Sequence, residues 1–410
     1  MPIVNSPLHV VFLQGMPSPF FAQVGKHLLQ KGCKVTGISL CLGDWLFWRR
    51  HRTIHFRGRL AQWPEFFTKF LENEQVTDLV LLGEQRDYHK EAVAIAQERG
   101  VRVTVTDFGY LRPDWITLER DGMNGNSHFP KEAEAVTALA AKFPEVDLSQ
   151  RYKDSNFVMS VGDLAYSFSN VLLWFFYPYY RRSDQRAHPL RYFPSMGLRM
   201  LLADGRHQIA CANMEKLLTA QIPYYLFPLQ LEHDFQIVAY SPFKRLEDAI
   251  RLVIQSFTTH APKDTHLVVK THPWDPGFTN WEKCLRRIAQ EYSVQERVHC
   301  MDGGNLAEMI QASRGMVTVN STAAIQALQL GSSVITLADA IYNIRGMTNQ
   351  EGIDRFWTEA TPPDATLVHD FIKALVGTVQ IRGVFFREPG MSDAALEMAT
   401  RIYEDTVGLR

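Results

Sequence analysis

The chain has 410 residues, 46% of them apolar and 21% charged, with a formal net charge of −1. That composition excludes a disordered chain, and the near-zero charge gives no global footing for nucleic acid. Five scattered cysteines without a CxxC pair read as reduced thiols of a cytosolic protein and offer no zinc site, and the length calls for two domains.

The opening stretch MPIVNSPLHVVFLQG has neither a basic start nor a long apolar core, so no signal peptide is expected. Residues 9–14 (HVVFLQ) predict a short buried strand ending at Gly15, and 19–30 carry apolar side chains at helical spacing up to Gly32. Strands follow at 34–40, 78–82 and 101–106, with a helix at 88–98 closed by Gly100. Short apolar strands alternating with helices predict a parallel, doubly wound sheet over residues 1–150. From 151 to 222 strand signals fade and helical, aromatic-rich sequence takes over. Its most apolar part, 164–180, is shorter and more polar than the ~20 apolar residues a membrane-spanning helix needs. Strands resume at 224–230, 266–270, 298–301, 315–319 and 333–337, with helices at 245–256, 281–292, 306–313 and 322–330. This predicts a second doubly wound domain over 223–385 and a closing helix within 386–410. The expected fold class is α/β and GT-B-like: two Rossmann-like domains facing a cleft, with a helical aromatic-rich insertion between them. Sugar-nucleotide epimerases share that architecture, so fold leaves function open.

In such sheets ligands meet the carboxyl ends of the strands. In the first domain those ends carry Gln14 and Asp107. In the second, PLQLEHDFQI (228–237) runs a strand into Gln230, Glu232, His233, Asp234 and Gln236. Exposed loops are often this polar, yet a carboxylate here also suits a nucleophile at an anomeric carbon, or a base. HLVVKTHP (266–273) runs a buried strand into Lys270, His272 and Pro273, whose missing N–H ends the ladder. TVNSTAAIQAL (318–328) sets Asn320, Ser321 and Thr322 at a helix start. Alone it reads as an ordinary N-cap; beside Lys270 and His272 it reads as a phosphate cradle. No GxGxxG, P-loop or DxD triplet occurs, which argues against a dinucleotide, an ATPase and a metal clamp. A donor with a single phosphate, such as a CMP-activated acidic sugar, needs no metal. In VLLWFFYPYYRR (171–182), Trp174 and its aromatic neighbours end at Arg181 and Arg182, which suits an anionic membrane interface or, equally, a buried helix core. Asp44 and Arg112, polar among tryptophans, are candidates for the acceptor side together with Gln14.

The blocks FLQG (12–15), PSPFF (17–21), GDWLFW (43–48), GYLRPDWITLE (109–119), GMNGNS (122–127), PLQLEHDFQI, KTHP, VNST and ADAIYNIRGMT (338–348) together resemble the capsule polysaccharide biosynthesis proteins of the KpsS type, related to KpsC and LipA/LipB. The resemblance implies a GT-B fold and a retaining β-Kdo transferase. It would carry Kdo from CMP-β-Kdo to phosphatidylglycerol or lysophosphatidylglycerol at the cytoplasmic face of the inner membrane, with other capsule proteins as partners and no cofactor. It places the nucleophile on Asp234, with Glu232 beside it. His272 matches the histidine of an HP motif, and Ser321 with Thr322 a serine-rich motif. An acidic base motif survives only as Asp107-Phe108-Gly109, without its second acid. A non-catalytic capsule scaffold and a sugar-nucleotide epimerase are the rival readings.

Overall fold

A computed structural model describes residues 7–183 and 185–409. The chain forms two compact units. The first takes the described residues up to Phe129, those of 145–184 and those from Leu375 onward; the second takes 130–144 and 185–374.

In the first unit β1 (His9–Leu13), β2 (Lys34–Ser39), β3 (Thr53–His55), β4 (Asp78–Leu82) and β5 (Arg102–Phe108) are parallel, and β6 (Trp115–Arg120) turns back antiparallel on β5. β1 and β4 are buried along their whole length. That is why they read as unbroken apolar runs rather than alternating ones: helices cover both faces of such a sheet. In the second unit β7 (Tyr224–Pro228), β8 (His266–Lys270), β9 (Val298–Met301), β10 (Met316–Thr318) and β11 (Val334–Thr336) form an all-parallel sheet. The chain then returns to the first sheet, where β12 (Gln380–Arg382) pairs antiparallel with β6.

The sheet orders are β12-β6-β5-β4-β1-β2-β3 and β11-β10-β7-β8-β9. Winding reverses between β1 and β4 in the first and between β7 and β10 in the second. Each reversal opens a crevice at the strands' carboxyl ends, where ligands bind in this class of sheet. The α/β, doubly wound expectation is met in both units, with two differences. The sequence-derived boundaries carry the second domain to residue 385 and leave a separate closing helix, whereas the second unit ends at Ala374 and the tail belongs to the first. The helix Gly390–Tyr403 packs Met391, Met398 and Ile402 into one core with Val10, Phe20, Val24 and Leu28. The segment 151–222 is likewise no single insertion. Its helix Asn156–Leu172 lies in the first unit, while Pro189–Leu201 and Ala203–Thr219 lie in the second.

Candidate functional site

In the second unit the switch point is closed by a reciprocal pair. Gln230, just past β7, donates through Nε2 to Asn320 Oδ1 at 3.0 Å, and the Asn320 N–H donates to Gln230 Oε1 at 3.3 Å. Asn320 Nδ2 also donates to the Gln236 carbonyl at 2.8 Å. Both side chains are buried and are spent on joining the loops after β7 and β10. Ser321 Oγ accepts the Ala323 N–H at 3.2 Å, and the helix that follows, Ala323–Gln329, has only two turns, with Thr322 as its N-cap. Asp234 caps the single turn Phe235–Val238, its Oδ1 accepting the Gln236 N–H at 2.9 Å, and Glu232 accepts the Thr279 hydroxyl at 2.9 Å.

One strand over, the tip of β8 carries a different kind of group. Lys270 is 6% exposed, and among the described residues its ammonium makes no hydrogen bond or ion pair. Burial pulls its pKa below the ordinary lysine value, opposed by the charge of Asp302. Past Pro273 the loop is braced by its own bonds: the Asp275 N–H reaches the His272 carbonyl at 3.0 Å, and Asp275 accepts the Gly277 N–H at 2.6 Å and the Trp281 indole at 2.7 Å. The Trp274 N–H donates to His272 Nδ1 at 3.1 Å. That bond selects the tautomer with the proton on Nε2, which makes His272 a donor at its outer nitrogen.

Asp302, at the end of β9, was not singled out from the sequence. It accepts from Thr271 Oγ1 at 2.7 Å, Arg206 at 2.8 Å and Arg199 at 3.0 Å, tying the helices Pro189–Leu201 and Ala203–Thr219 to the base of the Lys-Thr-His-Pro loop. Burial pushes its pKa up, but the hydrogen bonds from Thr271 and Arg206 and the two arginine charges outweigh that and hold it below the usual range. The available signal was its position: another acid at a strand tip, followed by two glycines with positive φ.

In the first unit Gln14, at the tip of β1, and Asp44 are hydrogen-bonded to each other. Asp44 accepts the N–H groups of Leu40 and Cys41 at 2.9 and 3.1 Å, the Tyr166 hydroxyl at 2.9 Å and the Gln14 amide at 3.2 Å. Burial raises its pKa against those bonds. Tyr166 escaped sequence reading because it lies 122 residues from Asp44 in the chain. Asp107 lies at the end of β5, its pKa raised by burial and pulled back by the Phe108 N–H and the charges of Arg86 and Arg112. The exposed Arg112 guanidinium sits 5.0 Å from the Phe108 ring centroid. The blocks around it are structural: Glu119 accepts from Tyr110 Oη at 2.6 Å and from Ser127 Oγ, and Tyr110 Oη accepts the Asn124 N–H at 2.7 Å. Burial lifts Glu119 to a pKa of about 8.

The aromatic stretch is mostly exposed, although Tyr177 within it is buried. Trp174 is 62% exposed, and Leu172, Phe175, Phe176 and Tyr179 are exposed beside it. Arg181 lies 3.6 Å from Asp87, while the guanidiniums of Arg57 and Arg59 lie over the rings of Tyr177 and Tyr179 at 5.6 and 5.2 Å. Arg182 follows Arg181 at the end of this stretch. No helix among the described residues is long and apolar enough to cross a membrane, and none of their His, Cys, Asp and Glu side chains form a group of three or more able to hold a metal ion.

Two doubly wound α/β units, the second with a cationic and hydrogen-bond-donating strand tip beside its switch point, define a Rossmann-like protein suited to an anionic ligand. The chain belongs to the capsule polysaccharide biosynthesis protein family, whose model matches residues 77–386. It is 28% identical to the capsule polysaccharide modification protein LipB of Neisseria meningitidis serogroup A, over 96% of both chains. It is 27% identical to the capsule polysaccharide export protein KpsS of Escherichia coli, over 92% of this chain and 96% of that one. Among solved structures it aligns with Thermosulfurimonas dismutans KpsC, titled a β-Kdo 2,7 transferase, over 96% of this chain and 99% of that one, at 13% identity and a TM-score of 0.47.

Proposed function

We propose that this chain is a retaining β-Kdo glycosyltransferase. In this reading it moves Kdo from CMP-β-Kdo, without a metal ion, to phosphatidylglycerol or lysophosphatidylglycerol, and so starts the poly-Kdo linker of a Gram-negative capsular polysaccharide. The observation that carries the reading is the buried Lys270, which pairs with none of the described residues, two positions before His272 with its Nε2 donor. A largely buried cation that pairs with none of the described residues suits an anion, and a sugar nucleotide with one phosphate supplies it. Family membership and the relatives' names, capsule modification and export proteins, support the pathway.

The chemistry follows from the roles. The anomeric C–O bond breaks with its electron pair passing to the phosphate of CMP, where Lys270, His272 Nε2–H and the Ser321 and Thr322 hydroxyls meet the growing charge. Asp234, whose orientation is fixed by its cap bond, forms a bond to the anomeric carbon. The acceptor hydroxyl then displaces it, giving its proton to a carboxylate, with Glu232 and Asp107 as the candidates. Gln230, Asn320 and Pro273 shape the loops that present these groups. On the acceptor side, Gln14, Asp44 and Arg112 bind the head group, and Trp174, Arg181 and Arg182 rest on the cytoplasmic face of the inner membrane.

The test is incubation with CMP-Kdo, generated in situ, and short-chain phosphatidylglycerol, with product mass as the readout. One added Kdo is expected, and Asp234→Ala is expected to lower turnover by at least 100-fold. Transfer only to a Kdo-primed acceptor makes the chain an extender. No turnover of donor with either acceptor overturns the enzyme reading in favour of a scaffold.

A further inference from the structure

We propose that a small cavity at the tips of β1 and β2 receives a hydroxyl of the acceptor's polyol head group, which donates to Gln14 Oε1. The inference rests on the lipid-acceptor reading above and names the atom and the chemistry within it.

It begins with an amide that can face only one way. Gln14 Nε2 lies 3.2 Å from each carboxylate oxygen of Asp44, 3.1 Å from Tyr166 Oη and 3.3 Å from Tyr180 Oη. An ionised carboxylate only accepts, so the nitrogen must take this side and the carbonyl Oε1 the other. Gln14 is 4% exposed, and Oε1 is buried with no hydrogen-bond partner among the described residues. Buried carbonyl oxygens are rarely left so, and Gln14 is one of the residues that line a cavity of about 30 Å³. A single water needs roughly 10–15 Å³ on this measure, so a hydroxyl with its carbon fits.

The walls narrow the ligand class. Phe21, Phe47, Trp48 and Tyr166 give ring faces for the C–H surface of a polyol, and Ser18 and Ser39 add hydroxyls. Among the described residues no cationic side chain lines the space, so nothing in that lining favours an anion. Asp44 already accepts from Leu40, Cys41, Tyr166 and Gln14, so it calls for no cation. What is missing is one neutral donor, and a hydroxyl is one. The helix Asn156–Leu172 links this cavity to a lipid-suited surface: Tyr166 reaches the cavity, while Phe157, 77% exposed, Val161, Leu164 and Leu172 point outward. A phospholipid has the same two parts, a hydroxylated head and an apolar body.

The experiment compares dihexanoyl phosphatidylglycerol with dihexanoyl phosphatidylpropanol, which has the same charge and chains but no head-group hydroxyls. Binding to the full chain is read by ligand-observed NMR, for wild type and Gln14→Met. Wild type is expected to prefer phosphatidylglycerol about fivefold or more, and Gln14→Met to abolish that preference. Equal affinity of wild type for both lipids, or a preference that survives Gln14→Met, overturns the pocket and leaves the lipid-acceptor reading standing. Binding of neither lipid overturns both. The wild-type comparison needs no variant, so a poorly folding Gln14→Met protein does not spare the proposal.

Discussion

Lys270 is largely buried on folding, and among the described residues its ammonium gains no hydrogen bond or ion pair. In a protein selected only for stability an apolar side chain of similar length does better at such a position. Lys270→Met is therefore expected to raise stability by about 1 kcal/mol or more, a melting shift on the order of 2–4 °C, while CMP affinity falls about tenfold or more. Thermal melts and CMP calorimetry check the pair of outcomes; a destabilised variant with unchanged CMP affinity rules out the anion role. The pH dependence has a definite sign. Burial lowers the pKa of Lys270, and phosphate binds the ammonium form. Affinity is therefore full below that lowered pKa and falls as pH rises through it, and Lys270→Met removes this alkaline fall. Lys270 and His272 were legible because a buried strand, a cation, a histidine and a proline stand in one short run. Asp302, Arg199 and Arg206 were not, because their meeting depends on how two helices pack beside β9, which no local pattern encodes.

Among the elements, the buried parallel strands were read almost to the residue, β4 and β8 to their ends, because burial on both faces writes itself as an apolar run. β6 escaped because its buried Thr117, Glu119 and Arg120 break that run, their partners lying outside the strand: Gln380 for Thr117, Ser127 for Glu119, Asp405 for Arg120 Nη2. The aromatic segment after the helix Asn156–Leu172 was ambiguous for the opposite reason: composition alone does not separate buried rings from exposed ones, and most of these are exposed. That exposure sets a prediction at this scale. Replacing Trp174 and Phe175 by alanine removes two rings that water already touches, so the melting temperature is expected to stay within about 1–2 °C. Binding to vesicles containing phosphatidylglycerol is expected to fall about tenfold or more, and binding by wild type to weaken as salt screens the neighbouring arginines. Sedimentation with vesicles measures both; unchanged binding by the double variant takes the membrane role away from this segment.

For the molecule as a whole, the chain's last helix completes the unit in which its first strand lies. Nothing local in the tail announces this. β12 has three residues, too few for a periodic signal, and its partner β6 lies more than 260 residues earlier, at a separation of 263 between Gln380 and Thr117. The tail helix is amphipathic and would suit any apolar surface; only the packed core shows that its partners are Val10, Phe20, Val24 and Leu28. A cavity made in this helix must therefore be felt at the far end of the sequence. Met398 is fully buried in that core, and truncation to alanine is expected to cost about 2–5 kcal/mol. Because the second unit has its own sheet and its own core, the cost falls on one unit and not the other. Hydrogen exchange separates the two: in Met398→Ala the amides of β1 lose protection while those of β7 and β8 keep theirs. Equal loss in both sheets would mean that the units unfold as one, and no loss in β1 would mean that the tail helix is a separate closing element after all.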